Sequence, residues 1–212
     1  YRSALKDKKL KLGALGIFLY VGAEVAIGSY LVNYFLDMQL AEVIRNNDLM
    51  RTVLTFFHSD VDAIDNKAIV ATFLVFYWGG AMVGRFIGAY LTRVFSPSRV
   101  LSLFSVGAIF FVLVSMSTHG LVSMWAILAV GLFNSIMFPT IFSLGIKDMK
   151  ENTKPASSLI VMAIIGGAIF PVIMGKIIDN ANDNIQIGYA VPMLCFLVVL
   201  YFGLKGHQPQ KA

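Results

Sequence analysis

Residues 12–36 read LGALGIFLYVGAEVAIGSYLVNYFL, a stretch whose one charged side chain is Glu24, near its centre. The nearest other charges are Lys11 before it and Asp37 after it. About 20 apolar residues in a helix, rising about 1.5 Å each, are enough to cross the hydrocarbon core of a bilayer. A carboxylate at the centre of such a helix costs at least roughly 2.5–3.5 kcal/mol to insert. Glu24 is therefore expected to serve a function or to face a cavity, and the alternative is an acid that simply faces packed neighbours.

The composition of the whole chain is that of a membrane protein. Of its 212 residues, 58% are hydrophobic and 14% are charged, and the mean hydropathy is +0.76. Soluble domains contain about 45–50% apolar and about 25% charged residues. The net charge of +5 does not indicate a nucleic-acid partner, because the charged residues cluster between hydrophobic runs and not on one face. The single cysteine, Cys195, excludes a disulfide within the chain.

Five further hydrophobic stretches follow the first, so the sequence predicts an all-α polytopic membrane protein with six transmembrane helices. The predicted spans cover residues 12–36, 68–92, 100–116, 121–146, 156–178 and 185–204. Residues 1–11 are predicted as a lead-in, 12–204 as the bundle and 205–212 as a tail. Within the acidic connection at 37–67, residues 40–57 have a helical periodicity and are predicted to lie on the membrane surface.

The distribution of cations predicts the orientation of the bundle. All but four of the 17 Lys and Arg residues fall on the side that holds the N-terminus. The four exceptions are Arg45, Arg51, Lys67 and Lys176. Cytoplasmic loops of membrane proteins carry the excess of Lys and Arg. Both termini are therefore predicted to be cytoplasmic, with the 37–67 connection on the outer side.

Glycine and proline lie inside the predicted spans, where they affect helix packing and bending. Pro139 and Pro171 are predicted to kink the fourth and fifth spans. A GxxxG stripe on the second span lets another helix approach closely, and a glycine pair comes just before the second kink. These glycines are Gly80, Gly84 and Gly88 in the stripe and Gly166 and Gly167 in the pair.

The residues that enzymes use are not assembled in this sequence. The three histidines, His58, His119 and His207, fall in links or in the tail, and none has metal-ligand spacing with another histidine, cysteine or acid. No nucleophile motif and no phosphate-binding glycine loop is present. We expect neither an enzyme nor a metal site nor an organic cofactor.

Polar and aromatic residues near the middle of the spans are candidates for a binding site. On a helix, Tyr20 and Glu24 share one side, so a hydroxyl and an aromatic face lie next to a carboxylate. Asn33 is a further polar position on the same span, although it points elsewhere. In the fourth span, Asn134 and Phe138 are one turn apart before the Pro139 bend. An amide in mid-membrane needs a partner, which is a ligand or another helix.

Four stretches together resemble one transporter family. They are YVGAEVAIGSYLVNYF (20–35), YWGGAMVGRFIGAYL (77–91), FPTIFSLGI (138–146) and SSLIVMAIIGGAIFPVIMG (157–175). They look like the C-terminal half of the fucose/glucose/galactose:proton symporter family of the major facilitator superfamily, with the glucose/galactose branch favoured. The resemblance implies half of a twelve-helix transporter, built from two inverted three-helix repeats at 12–116 and 121–204. It also implies a missing N-terminal six-helix half, and the start at Tyr1 is expected for such a fragment.

The resemblance further implies a function and a set of site residues. The function is symport of a hexose across a bacterial inner membrane by alternating access, coupled to a cation gradient and most simply to protons, with the main proton-carrying acids in the missing half. The residues expected to line the sugar site are Tyr20, Glu24, Asn33, Asn134 and Phe138. Gly88 and Arg93 match the cytoplasmic loop motif of the superfamily, although Thr92 stands where an acid is expected. Together with Gly84 and Arg85 they form the predicted gating motif. The expected hinges are Pro139, Gly166, Gly167 and Pro171.

An alternative from another class is a six-helix membrane subunit or assembly module that does not transport. In such a protein Glu24 would pair with a cation of a partner chain.

Overall fold

The computed structural model describes residues 7–61 and 63–206, except for the side chain at position 150. The predicted lead-in lies outside the described residues at positions 1–6, and so does the predicted tail at positions 207–212. The described residues form helices joined by short links and contain no strand. The all-α prediction is confirmed.

Most of the helices are arranged end to end along the spans. The α-helices of the described residues are Lys8–Asp37, Leu40–Arg45, Asp48–Phe57, Asn66–Thr72, Leu74–Val94, Pro97–Ser117, Gly120–Asn134, Met137–Ile146, Thr153–Met162, Gly166–Asn180, Ile185–Gly188 and Ala190–Tyr201. Single 3-10 turns occupy Lys150–Asn152 and Ala163–Ile165, and the last described residues, Phe202–Gly206, are π-helical.

Within the described part of the chain, six helical stretches are long and apolar enough to cross a membrane. We number them span 1 to span 6: Lys8–Asp37, Asn66–Val94, Pro97–Ser117, Gly120–Ile146, Thr153–Asn180 and Ile185–Gly206. They coincide with the six predicted spans, which are confirmed. The chain is therefore that of a multi-pass membrane protein.

Span 4 is interrupted at Ser135 and Ile136, one turn before Pro139. Proline has no amide hydrogen, and its ring clashes with the carbonyl group four residues earlier, which here belongs to Ser135. Span 5 is interrupted by the 3-10 turn that ends directly before Gly166, and its second helix runs without a break through Pro171. The interruptions thus lie on the N-terminal side of each proline, and the role of these positions as hinges stays a prediction.

The packing of the spans follows an internal symmetry. Span 1 packs against spans 5 and 6, and span 4 packs in the same way against spans 2 and 3. Spans 1 and 4 also touch each other, and so do spans 3 and 6. Exchanging span 1 with 4, 2 with 5 and 3 with 6 leaves this pattern unchanged, as expected for two inverted three-helix repeats.

Glycine makes the closest helix crossings possible. A Cβ atom at Gly84 would overlap the carbonyl oxygen of Leu132 on span 4, and one at Gly166 would overlap the carbonyl oxygen of Phe18 on span 1. A Cβ atom at Gly13 would lie 3.1 Å from the Cα atom of Gly145. The prediction that the glycine stripe on span 2 lets another helix approach closely is confirmed.

A buried polar cluster joins four spans at the end of the bundle that carries the 37–67 connection. The Tyr34 hydroxyl lies 2.7 Å from the Ser123 hydroxyl and donates to the Ser115 carbonyl at 3.0 Å. The side-chain amide of Gln186 donates to the carbonyls of Ser115 and Thr118 at 3.2 and 2.8 Å. Spans 1, 3, 4 and 6 are tied together here.

At the opposite end, a lysine joins the start of span 1 to the end of span 4. Lys9 is buried, with 8% of its surface exposed, and its Nζ donates to the Lys147 carbonyl at 2.7 Å. The Asp148 carboxylate lies 3.5 Å from the same Nζ, but its side chain is 74% exposed. The carbonyl contact is the stronger of the two, because exposed ion pairs contribute little.

The 37–67 connection contains two short helices, as its periodicity predicted. The second, Asp48–Phe57, buries Leu54 but leaves Leu49 and Phe56 exposed by 71% and 82%. Arg45 donates to the Ile64 carbonyl and so links the first half of the 37–67 connection to its end, just before span 2. Its position on the membrane surface stays a prediction.

Candidate binding site

Spans 1 and 2 enclose a cleft whose floor is span 4. Span 1 packs against Asn66–Thr72 at the start of span 2, but it makes little or no direct contact with Leu74–Val94. Span 4 packs against both of them. The two spans therefore diverge away from the 37–67 connection, and the side chains on their facing sides are separated by a gap.

Three residues joined by two hydrogen bonds cross the floor of this cleft. The Tyr20 hydroxyl, on span 1, donates to the backbone carbonyl of Asn134 on span 4 at 2.8 Å. The side-chain amide of Asn134 donates to the Tyr77 hydroxyl, on span 2, at 2.9 Å. All three residues are buried. The Asn134 carbonyl is free for this bond because the helix ends there, and the last carbonyls of a helix lack partners within it.

Glu24 lies in the wall of the cleft, one helical turn from Tyr20. Its side chain is half-buried, and it is close enough to Tyr20, Tyr77 and Arg85 to interact with them electrostatically. The Arg85 guanidinium supplies the opposite charge from span 2. An acidic and a basic side chain therefore lie within electrostatic range of each other inside the spans, where polar groups are costly.

The indole of Trp78 lies beside Glu24, on the opposite wall. A Cβ atom at Gly28 would be 4.0 Å from Cζ2 of Trp78, and Gly28 is one turn from Glu24 on span 1. The indole is 57% exposed in the bundle and packs edge-on against Tyr77, with ring centroids 5.3 Å apart. The cleft thus combines a carboxylate, a guanidinium and an exposed aromatic face.

Asn134 also holds an unpaired acceptor. Its Oδ1 atom is buried and has no hydrogen-bond partner among the described residues. Nearly all buried polar atoms in proteins are paired, so such an atom is a candidate contact for a bound molecule. The interhelical bonds of Asn134 confirm one of the two alternatives that the sequence left open, and contact of Asn134 with a ligand stays a prediction.

Two of the predicted sugar-site residues are not joined to this cluster. Asn33 is exposed and lies nine positions from Glu24, which places it on the opposite side of span 1. Phe138 is half-buried and stacks on Phe142, with ring centroids 6.2 Å apart. Their contact with a substrate stays a prediction.

The two glycines of the predicted loop motif pack against span 4, and its two arginines do not. Gly84 and Gly88 are buried against span 4, where a Cβ atom at Gly88 would overlap Ile136. Arg85 faces the cleft, and Arg93 is exposed in the last turn of span 2. Their role in gating stays a prediction.

Sequence reasoning missed Tyr77 and Trp78 as site residues. A signal for Tyr77 was available, because it lies seven positions before Gly84, on the helix face that carries the glycine stripe. Trp78 lies seven positions before Arg85 and so shares its face. The sequence did not tell which face of span 2 meets a neighbouring helix and which borders a cleft.

Two other possibilities within the described residues lack the chemistry of the cleft. Among the residues that the structure describes, no three His, Cys, Asp or Glu side chains lie together as a metal site would require. An apolar groove of about 420 Å³ lies between spans 3 and 4, lined by Phe111, Val114, Leu121, Val122, Trp125 and Ala126. It contains none of the polar residues described above.

Comparisons with known proteins identify close likenesses. No protein-family profile matches the chain. It is 39% identical over 204 residues to the glucose/galactose transporter of Brucella abortus (strain 9-941), covering 96% of this chain and 44% of that protein. It is 35% identical over 192 residues to the L-fucose-proton symporter of Escherichia coli (strain K12), covering 89% of this chain and 37% of that protein.

Structural comparison leads to the same kind of protein as sequence comparison. The crystal structure of FucP, a Major Facilitator Superfamily transporter, in the outward conformation superimposes with a TM-score of 0.82 and 31% identity. The match covers 98% of this chain and 45% of that one. The chain thus spans about half the length of the proteins it matches. In sequence and in fold, it belongs to the fucose/glucose/galactose transporter family of the major facilitator superfamily, of which it represents the C-terminal half.

Proposed function

We propose that this bundle is the C-terminal half of a transporter that carries a hexose together with a proton across a bacterial inner membrane. Glucose and galactose are the favoured substrates. The mechanism is alternating access, in which this bundle rocks against an N-terminal six-helix bundle around a sugar site near the midplane. No metal or organic cofactor takes part, and the coupling ion is the proton.

The names of the relatives support the substrate class and the coupling ion. The Brucella protein is named a glucose/galactose transporter, and it is more similar to this chain, at 39% identity, than the Escherichia coli fucose-proton symporter, at 35%. The Escherichia coli relative is named a fucose-proton symporter, which supports the proton as the coupling ion. None of the names that describe an activity is that of an enzyme.

The observation that carries the proposal is the placement of Glu24 on span 1 and Arg85 on span 2 within electrostatic range of each other, on the two sides of the cleft. A carboxylate accepts hydrogen bonds from sugar hydroxyls, and a guanidinium donates to sugar oxygens. Both are polar groups inside spans, where polar groups without partners are costly, so an arrangement without a polar ligand or water would be unfavourable. Hydrogen bonds to charged groups are also the strong ones, which gives the site its affinity.

Each site residue has a distinct role in this proposal. Glu24 and Arg85 bind hydroxyl groups of the sugar. Tyr20 and Tyr77 hold Asn134 at the floor, where its free Oδ1 accepts from one more hydroxyl. Glu24 binds sugar and does not carry the coupled proton, because the acids that carry it belong to the N-terminal half.

The partner bundle closes the cleft. The described bundle leaves Glu24 half-buried and Trp78 more than half exposed on one side. Lipid tails cannot hydrogen-bond to a carboxylate, so the open side of the cleft requires a polar surface on the facing bundle or water held between the two. This bundle alone should therefore not transport.

The test is uptake of radiolabelled glucose and galactose by the full-length transporter in proteoliposomes. Glu24→Gln removes the charge and keeps the shape, and it should lower kcat/KM by about 10- to 100-fold, since a charge-assisted hydrogen bond contributes about 1.5–3 kcal/mol. Glu42→Gln is the matched control, because Glu42 is exposed in the 37–67 connection. Equal uptake by the wild type and Glu24→Gln would contradict the site. Competition with fucose and N-acetylglucosamine identifies the preferred sugar.

The proposed orientation has its own test. Both ends of the bundle are cytoplasmic in the proposal, so a cysteine at Glu42 should react with an impermeant maleimide in spheroplasts. A cysteine at Ser96, in the exposed link between spans 2 and 3, should react only after lysis. The native Cys195 is buried and is replaced by alanine in both variants. The reverse labelling pattern would refute the orientation.

A further inference from the structure

The two walls of the cleft offer different chemistry at different depths. On span 1, Gly28 lies four positions after Glu24, about 6 Å nearer to the 37–67 connection. On span 2, which runs in the opposite direction, Arg85 lies seven positions after Trp78, about 10 Å farther from that connection. Trp78 is level with Gly28, so the order along the cleft is indole, carboxylate, guanidinium.

The exposure of Trp78 distinguishes it from the other tryptophan of the chain. Trp125 is half-buried and packs edge-on against Phe73 and Phe76, with ring centroids 6.3 and 5.1 Å apart. The Trp78 indole has one described ring contact, with Tyr77, and its other side is open. A Cβ atom at Gly28 would be within van der Waals contact of Cζ2, on the edge of the indole, so span 1 approaches this edge and does not cover the exposed part of the ring.

An aromatic face beside a carboxyl group and a guanidinium group suits one class of ligand. The face of an indole carries a partial negative charge, which attracts the polarised C–H bonds on the apolar face of a pyranose ring. The hydroxyl groups on the rim of the same ring need hydrogen-bond donors and acceptors, and Glu24 and Arg85 provide both kinds. A linear polyol offers the hydroxyl groups but no flat apolar face.

We propose that Trp78 is the stacking platform of the sugar site and that it selects the closed pyranose ring, whose hydroxyl rim points along the cleft to Glu24 and Arg85. This inference rests on the proposed function and adds to it the orientation of the sugar and the residue that recognises the ring.

The experiment compares three variants of the full-length transporter in proteoliposomes, with initial uptake rates of galactose and with galactitol, its open-chain analogue, as competitor. Trp78→Phe keeps an aromatic face and should change the KM for galactose by less than about threefold. Trp78→Leu keeps an apolar side chain without the face and should raise the KM by about tenfold, with little change in kcat. Trp125→Leu is the matched control and should leave the KM unchanged.

The competitor separates stacking from packing. Galactitol should inhibit the wild type weakly, and the preference for galactose over galactitol should fall about tenfold in Trp78→Leu only. The inference is overturned if Trp78→Leu and Trp78→Phe have the same KM, or if Trp125→Leu raises the KM as much. It is also overturned if the preference for galactose over galactitol does not change. A wild type without saturable hexose uptake would instead refute the proposed function, on which the inference depends.

Discussion

Replacing Gly84 by alanine tests how tightly spans 2 and 4 are packed. The new Cβ atom would overlap the carbonyl oxygen of Leu132 and lie 2.6 Å from the hydroxyl oxygen of Ser135. That hydroxyl donates to the same carbonyl at 2.7 Å, so the methyl group would be forced into a formed hydrogen bond. The matched control is Gly80→Ala, where the nearest atom, the Leu132 amide nitrogen, is at 3.4 Å.

The magnitude follows from the difference between these two positions. Both variants gain about 0.5–1 kcal/mol from the higher helix propensity of alanine, and this gain cancels in the comparison. Gly84→Ala alone pays for overpacking, which costs about 1–3 kcal/mol, and weakens one hydrogen bond, which adds about 0.5–1.5 kcal/mol. We expect Gly84→Ala to be less stable than Gly80→Ala by about 2–3 kcal/mol.

The assay is thermal unfolding of the purified full-length transporter, followed as loss of the monodisperse peak in size-exclusion chromatography after heating. The shift in melting temperature per kcal/mol falls with chain length, and the full-length transporter is longer than this chain, so Gly84→Ala should melt a few degrees below Gly80→Ala. Equal melting temperatures would mean that span 4 yields to the extra methyl group without cost. The close crossing would then not be the rigid contact that the glycine stripe indicates.

Three other perturbations have outcomes fixed by single contacts, all measured by the same unfolding assay. Tyr34→Phe leaves the serine hydroxyls of the polar cluster with fewer partners and should cost about 1–3 kcal/mol; no loss would show that the cluster does not hold the spans. Lys9→Met should lower the melting temperature by a few degrees, whereas Asp148→Asn should change it by less than about 1 °C, because the aspartate is largely exposed; the reverse order would contradict the dominance of the carbonyl contact. Gly166→Ala should destabilise as strongly as Gly84→Ala, since its Cβ atom would also overlap a backbone oxygen; a neutral result would disprove the tight crossing of spans 1 and 5.

The spans could be predicted from the sequence because the bilayer imposes a single requirement. A crossing helix needs about 20 apolar residues, and polar links such as 147–155 can lie only between crossings. The break in span 4 was also accessible, since proline acts on the carbonyl four residues earlier, and Pro139 therefore marks Ser135. Glu24 could be predicted as a candidate site residue for the same kind of reason, because an acidic side chain in hydrocarbon is costly wherever its helix packs.

The cleft could not be predicted in full because it depends on which faces of different helices meet. Span 2 is apolar around most of its circumference, so the sequence does not distinguish the side of Tyr77, which is buried, from that of Trp78, which is exposed. The pairing of Arg85 with Glu24 depends on the divergence of spans 1 and 2, a tertiary feature with no local signal. Asn33 is an example of the reverse error, a residue that was predicted for the site but does not join the cluster. It is polar and lies in span 1, but its helical phase places it away from Glu24.

The links at the two rims of the bundle have a mechanical consequence. Lys9 ties the first span of one repeat to the first span of the other at one rim, and the Tyr34 cluster ties both repeats at the other rim. A body clamped at both ends bends little when force is applied between them. In the proposed mechanism we therefore predict that this bundle moves as one rigid body, with the change of shape concentrated at its contact with the N-terminal bundle.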